Sequence, residues 1–377
     1  MNWLTTLGRS AFVVALTAGW ACGSETPARE HAATDAVRPP TAAWEEISPP
    51  ISYEFADFGN MNYGALTIAL SPNHPETVYL GTCYQGIWRT DDTGATWEKV
   101  NTGRNGANLE TGRNWTVAVD TMDPETLYTA AGFGVEQGLW KSANGGRDWR
   151  QLLPEQLMNE TTPDVYSVTI NPADPDHLLV GSHSGWAGGE ASGVLESLDG
   201  GRTWEAHRPE PTWGTGHYVF FVDTETWLLT TQSDGFWLTD NSGRSWRKVS
   251  DALMQHGANQ MYRTRGGNLL IGAYRTMMLS TDDGRSWTPV GPTMQDGYNA
   301  IVGDGEFLYA QPANTGLNTI DPDPPYYISA ETDGVNWVPY NGGEQVFANG
   351  PMAMAFDPVN RVIYSSNWGA GVWRLQL

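Results

Sequence analysis

Six times along the chain a tryptophan closes the same short motif, Ser/Thr-x-Asp/Asn-x-Gly-x-x-Trp. The copies are Thr90, Asp92, Gly94 and Trp97; Ser142, Asn144, Gly146 and Trp149; Ser197, Asp199, Gly201 and Trp204. They continue with Thr239, Asn241, Gly243 and Trp246, then Ser280, Asp282, Gly284 and Trp287. A sixth copy is worn, with Ala330 and Thr332 at the polar positions and Gly334 and Trp337 kept. Successive tryptophans stand 52, 55, 42, 41 and 50 residues apart. Self-similarity at that period marks a repeat architecture, and each repeat can bury its apolar face only against its neighbours.

The motif has the chemistry of a tight hairpin. An Asp or Asn side chain accepts hydrogen bonds from N–H groups of its own turn, and Gly supplies positive φ. Nine residues before each Trp stands another large apolar residue: Trp88, Trp140, Leu195, Trp237, Met278 and Ile328. That offset predicts a strand, the turn and a strand. Two more strands precede them, for instance 67–71 and 77–82, joined by a Pro-containing turn. Four short strands per unit make a β-propeller blade. A last unit (352–356, 361–365 and 371–377) has three strands and no motif, while Trp44-Glu45-Glu46-Ile47 reads like the strand that follows one. The expected fold is therefore all-β, a single seven-bladed propeller. Residues 43–48 would supply the outer strand of the last blade and cover its open edge.

The motif resembles the Asp-box, or bacterial neuraminidase repeat, of sialidases, xyloglucanases, sortilin-type receptors and photosystem II assembly factors. The resemblance covers about residues 44–377. It implies that the turns are structural and lie on the face opposite the ligand-binding mouth of the central channel. Arg147, Arg202, Arg244 and Arg285 share one position within those turns and would be unavailable to the mouth.

Ahead of the repeat, residues 1–22 read as a secretory signal: Arg9, an apolar run from Ala11 to Ala21, then Cys22. Gly19-Trp20-Ala21-Cys22 resembles a bacterial lipobox, which implies lipidation of Cys22; ordinary secretion is the plain alternative. Residues 23–42 form a polar, Pro/Ala-rich tether. The expected location is the cell envelope or the exterior, with membrane contact only through a lipid anchor. A net charge of −22 argues against nucleic acid and against docking on anionic lipid. With two cysteines, neither a disulfide scaffold nor a Cys-cluster metal site is expected. A monomer without cofactor or metal is the simplest expectation.

Aligning the blades on their inner strands brings Leu66, Trp115, Tyr166, Tyr218, Tyr298 and Met352 to matching positions. Two residues earlier stand Gly64, Arg113, Asp164, Gly216, Asp296 and Gly350; the fifth blade does not align. The mouth should then hold one arginine and two carboxylates ringed by aromatics. Two readings stand. Arg113 and Asp164, on neighbouring blades, simply pair; or Asp164 and Asp296 face each other across the channel. Carboxylates about 6.5–9.5 Å apart suit inverting glycoside hydrolysis. In that reading Asp296 is the acid, and Asp164, kept ionised by Arg113, is the base. The loops between second and third strands add Tyr84 and Gln85, Phe133, His183 and Trp186, Gln232 and Asp234, Tyr274 and Arg275, and Asn367 and Trp368. Together with His217, these offer flat faces and hydrogen-bonding groups suited to sugars. About half of the aromatics are expected to be packing between blades.

The resemblance also limits the activity. Xyloglucanases carry an aspartate where Gly81-Thr82-Cys83-Tyr84-Gln85-Gly86 has Cys83, and they use a second propeller. The arginine triad and Arg-Ile-Pro signature of sialidases are missing. No Gly-x-Ser-x-Gly or His-Glu-x-x-His motif occurs, and Cys83 is expected as a buried thiol. Three functions stay open. The chain binds, or binds and cleaves, a glycan or polysaccharide; it is a non-catalytic scaffold for a protein partner; or it is a polysaccharide lyase. In the lyase, Arg113 or Arg275 would neutralise a uronate, and His183, His217 or Tyr298 would take the proton.

Overall fold

Each repeat folds into four antiparallel strands because its second strand is apolar on both sides. Thr77–Thr82, Leu127–Gly132, Leu178–Ser182 and Trp227–Thr231 are buried almost without a break. A strand sandwiched between two neighbouring sheets loses the in–out alternation of a one-sided sheet. The outermost strands, such as Glu98–Lys99 and Arg247–Ser250, face solvent and carry charge. A computed structural model describes residues 42–152, 165–182, 193–207, 213, 217–255, 260–294, 297–313, 325–340 and 350–377.

Seven four-stranded sheets result, a seven-bladed β-propeller. Inner strands of blades 1 to 7 are Ala65–Ser71, Arg113–Val119, Val165–Asn171, His217–Phe221, Met261–Arg263, Ile301–Gly303 and Ala353–Asp357. The fifth blade, which the sequence left unaligned, has an inner strand of three residues. In the seventh, Trp44–Glu46 pairs antiparallel with the C-terminal strand Val372–Gln376, Trp44 opposite Leu375. Ile47 N–H then donates to Val372 O at 2.8 Å, and Trp97 of blade 1 donates its indole N–H to Ile47 O at 2.6 Å. No helix among the described residues is long and apolar enough to cross a membrane.

The core lies between blades. Val100, Tyr79 and Ile87 of blade 1 pack with Val117, Leu127 and Trp149 of blade 2. Tyr128 and Leu152 of blade 2 pack with Val168 and Leu178 of blade 3. A separate cluster joins Tyr309 and Ile328 of blade 6 to Met354, Leu375 and Trp44 of blade 7.

The motif turns satisfy their own polar groups. Asp92, Asn144, Asp199, Asn241 and Asp282 each accept, through Oδ1, a backbone N–H four residues on, at 2.8–3.0 Å. The leading Ser or Thr hydroxyl accepts the glycine N–H at 2.9–3.0 Å. In the worn copy Ala330 O takes over that role toward Gly334 N–H, at 3.0 Å. These turn glycines have φ from 65° to 95°, and Ile47, Val100 and Leu152 press on those of blades 1, 2 and 3.

Candidate functional site

At the opposite end, the loops between second and third strands meet the start of the next blade's inner strand. Three isolated backbone bridges record this: Cys83 with Arg113, Tyr274 with Gly297, and Trp368 with Ala65. Tyr84, Phe133, Arg275 and Trp368, all in these loops, have φ between 50° and 71°. Non-glycine residues rarely hold that conformation; Thr93, Ser242 and Asp283 of the motif turns share it, so it marks tight loops at both ends of the blades. Gly64 shows how tight the approach is, since a Cβ there would lie 2.6 Å from Trp368 O.

Leu66, Trp115, Tyr166, Tyr218 and Met352 do not ring an open channel but pack in one buried cluster that closes it; Tyr298 packs apart from them, between blades 5 and 6. Leu66, Trp115 and Tyr166 each sit at a register shift of their strand, Trp115 between Asn114 and Thr116. A bulge adds a residue and re-aims its side chain. Trp115 meets Tyr166 at 4.8 Å, Tyr166 meets Tyr218 at 4.9 Å, and Trp115 meets Trp368 at 6.5 Å between ring centres. All four are buried, as is Tyr298. The Tyr298 hydroxyl donates to Pro292 O at 3.0 Å, and burial pushes its pKa up, a poor state for a base. Beyond this plug the channel continues as a cavity of about 200 Å³ lined by Thr67, Thr116, Ser167, Thr169, Gln260 and Met261.

Arg113 is also buried. Its guanidinium lies 4.2 Å from the Tyr63 ring centre, 4.4 Å from Phe133 and 5.6 Å from Trp115. Among the described residues no carboxylate pairs with it, and Nε has no hydrogen-bond partner. The ring faces offset part of the cost of burying that cation. Cys83 lies beside it, fully buried, its thiol pushed up by burial and directed to Met61 O at 3.1 Å.

Tyr63 and Met61 belong to a segment the repeat does not foretell. Residues 49–64 cross the mouth over blade 1, clamped by Gln85, which accepts from Ser52 N–H (2.7 Å) and donates to Ser52 O (2.9 Å). Gln85 is therefore committed to the backbone of Ser52. Phe58 in this segment is exposed and stacks on Tyr84 at 5.5 Å. Tyr274 and Arg275 are the expected mouth residues that stay exposed among those described. Asp164, Asp296, His183 and Trp186 lie outside the described residues. His217 begins the inner strand of blade 4, opposite Thr231.

Fold and site together define a β-propeller with a plugged axis and one individualised face. No family model matches the chain. It is 25% identical over 276 residues to a xyloglucanase of Hypocrea jecorina (strain QM6a), 61% of this chain and 33% of that protein. To a xyloglucanase of Paenibacillus sp it is 24% identical over 300 residues, 67% of this chain and 28% of the other. The chain thus spans about a third of the length of these curated relatives. The GH74 xyloglucanase from Xanthomonas campestris superposes with a TM-score of 0.60 at 19% identity, over 88% of this chain and 53% of that one. The structure titled YCF48 bound to D1 peptide gives 0.60 at 12% identity, over 89% of this chain and 97% of that one. At such identities the structural likeness speaks for the fold.

Proposed function

We propose that the chain is an exported propeller that binds a carbohydrate chain on its mouth face, with Tyr274 and Arg275 as exposed contacts. The sequence likeness to xyloglucanases carries this reading; the exposure of Tyr274 and Arg275 on that face supports it. Trp115, Tyr166, Tyr218 and Trp368 then act as a rigid floor, and Arg113 as a cation held beneath the binding surface. Export through residues 1–22 and a lipid on Cys22 complete the proposal.

Catalysis is its second step. A buried Cys83 stands where the resemblance puts a catalytic aspartate, so hydrolysis would rest on Asp296 as acid and Asp164 as base. The test is a depolymerisation screen with xyloglucan and related polysaccharides. Asp164→Asn and Asp296→Asn should each lower turnover by orders of magnitude while binding is kept. Full activity in both variants would sink the carboxylate mechanism.

One observation favours a second reading. YCF48 is matched over almost its whole length, as a single propeller, whereas half of the Xanthomonas enzyme has no counterpart here. A mouth that binds a peptide and no glycan in the same screen would establish the scaffold function. The lyase reading loses Tyr298 as a base through its burial.

A further inference from the structure

Blade 3 departs from its neighbours at its outer edge. Immediately before the motif, the third strands of blades 1 and 2 carry Arg89 and Lys141, and blade 3 carries Glu196. The fourth strands of blades 1 and 2 press Val100 and Leu152 on the turn glycine of the next blade; blade 3 presses His207 on Gly243. In the second strand, blade 3 has His177 where blade 1 has Thr77. Packing between blades asks for none of these changes, yet they converge.

Glu196 Oε2 lies 2.7 Å from His207 Nε2, and Oε1 lies 2.8 Å from His177 Nε2. All three side chains are no more than 9% exposed. Glu205 stands directly opposite Glu196 in the strand register. One ligand atom each of Glu196, Glu205 and His207 fall within 4.8 Å of one another. Two carboxylates facing each other across a strand pair repel unless a cation joins them. His177 Nδ1 accepts from Asn171 Nδ2 at 3.3 Å, because Asn171 Oδ1 is engaged by Ala173 N–H at 3.0 Å. The proton of the neutral His177 ring is therefore on Nε2. That nitrogen lies 2.8 Å from Glu196 Oε1 and holds this oxygen. His177 thus engages Oε1 of Glu196, while Oε2 stands beside His207 on a residue directly opposite Glu205.

We propose that this edge of blade 3 binds a divalent first-row transition-metal ion of the zinc class, held by His207 Nε2 and the Glu196 and Glu205 carboxylates. Imidazole with carboxylate oxygen suits such an ion, whereas Mg²⁺ and Ca²⁺ favour oxygen alone. Three protein ligands leave a fourth position for water on the side of exposed Glu205. His177 is a positioning residue: its Nε2–H holds Glu196 Oε1 while Oε2 turns to the ion, as partners of ligating carboxylates do. Edge-to-face contacts of His207 with Trp227 (5.5 Å) and of His177 with Phe221 (4.7 Å) fix both rings.

The test is calorimetric titration of the chelator-stripped full chain with ZnCl₂, with MgCl₂ and CaCl₂ as controls and melting followed in parallel. The site predicts one equivalent of zinc, no heat from the controls and a rise in melting temperature at saturation. Glu205→Gln, at an exposed position, should abolish both signals with the fold intact, and it carries the test if a His207 variant fails to fold. His177→Gln should weaken zinc roughly 10–100-fold at unchanged stoichiometry. His74→Gln, at the exposed His74–Glu76 contact, should change nothing. Absence of saturable zinc binding, or binding untouched by Glu205→Gln, would overturn the proposal and leave a hydrogen-bonded His–Glu–His clamp.

Discussion

The two faces of the propeller handle polar groups in opposite ways. On the turn face one set of hydrogen bonds recurs from blade to blade, and each carboxylate is consumed by its own loop. Hydrogen bonds from the Thr203 side chain and backbone pull Asp199 down to about 2, and Asp92 and Asp282 are lowered as well. On the mouth face the described loops share backbone bridges but differ in their side chains. A cation lies there under aromatic rings, and Tyr274 and Arg275 project to solvent. Repetition therefore marks the part that builds the ring, and individuality marks the part free to bind.

That contrast breaks first if the ring does not need its closure. Deleting residues 42–48 removes buried Trp44 and Ile47 together with the bond from Trp97. A loss of roughly 5 kcal/mol or more is expected, comparable to the whole stability of a domain. The cooperative thermal transition should vanish; a truncated protein that melts like the parent would refute the closure.

Next in size is the plug. Trp115→Ala should cost about 3–5 kcal/mol, read by chemical denaturation, because a fully buried ring at the axis leaves a cavity its neighbours cannot fill. A change under about 1 kcal/mol would mean that Trp115 serves the ligand and not the floor.

A smaller effect separates the faces by pH. Asp199 has a folded pKa depressed from its ordinary 3.8, so its contribution to stability is present above that value. It is lost as pH falls toward about 2. Asp199→Asn should flatten the acid limb of the stability profile in that window, since Asn144 and Asn241 make the same turn without charge. An unchanged acid limb would show that the hydrogen bonds do not discriminate between the ionised and neutral carboxyl.

Much of the ring was legible in advance because Gly and Trp recur with fixed offsets, and a motif-less last unit left a strand to be found near Trp44. Other features had no periodic signal. Residues 49–64 carry no repeated sequence motif, so nothing set their path over Arg113 and Cys83. The aromatic set at Trp115, Tyr166 and Tyr218 was placed on the correct strands, but bulges decide whether such rings line a rim or fill an axis. Blade 5 has too short an inner strand to align. His177, Glu196, Glu205 and His207 come from three strands without motif spacing, and a chain read for metal signatures shows none. Asp164 and Asp296 rest on alignment alone.

The most direct test of the contrast compares one substitution on each face in a single binding experiment. Xyloglucan oligosaccharides are titrated into the full chain, into Tyr274→Ala and into Asp199→Asn. Saturable binding is expected, weakened roughly tenfold by Tyr274→Ala, as for loss of an exposed aromatic platform of about 1–1.5 kcal/mol. Asp199→Asn should bind as the parent does. Binding that ignores Tyr274 and falls with Asp199, or no binding of any glycan, would contradict the assignment of function to the mouth.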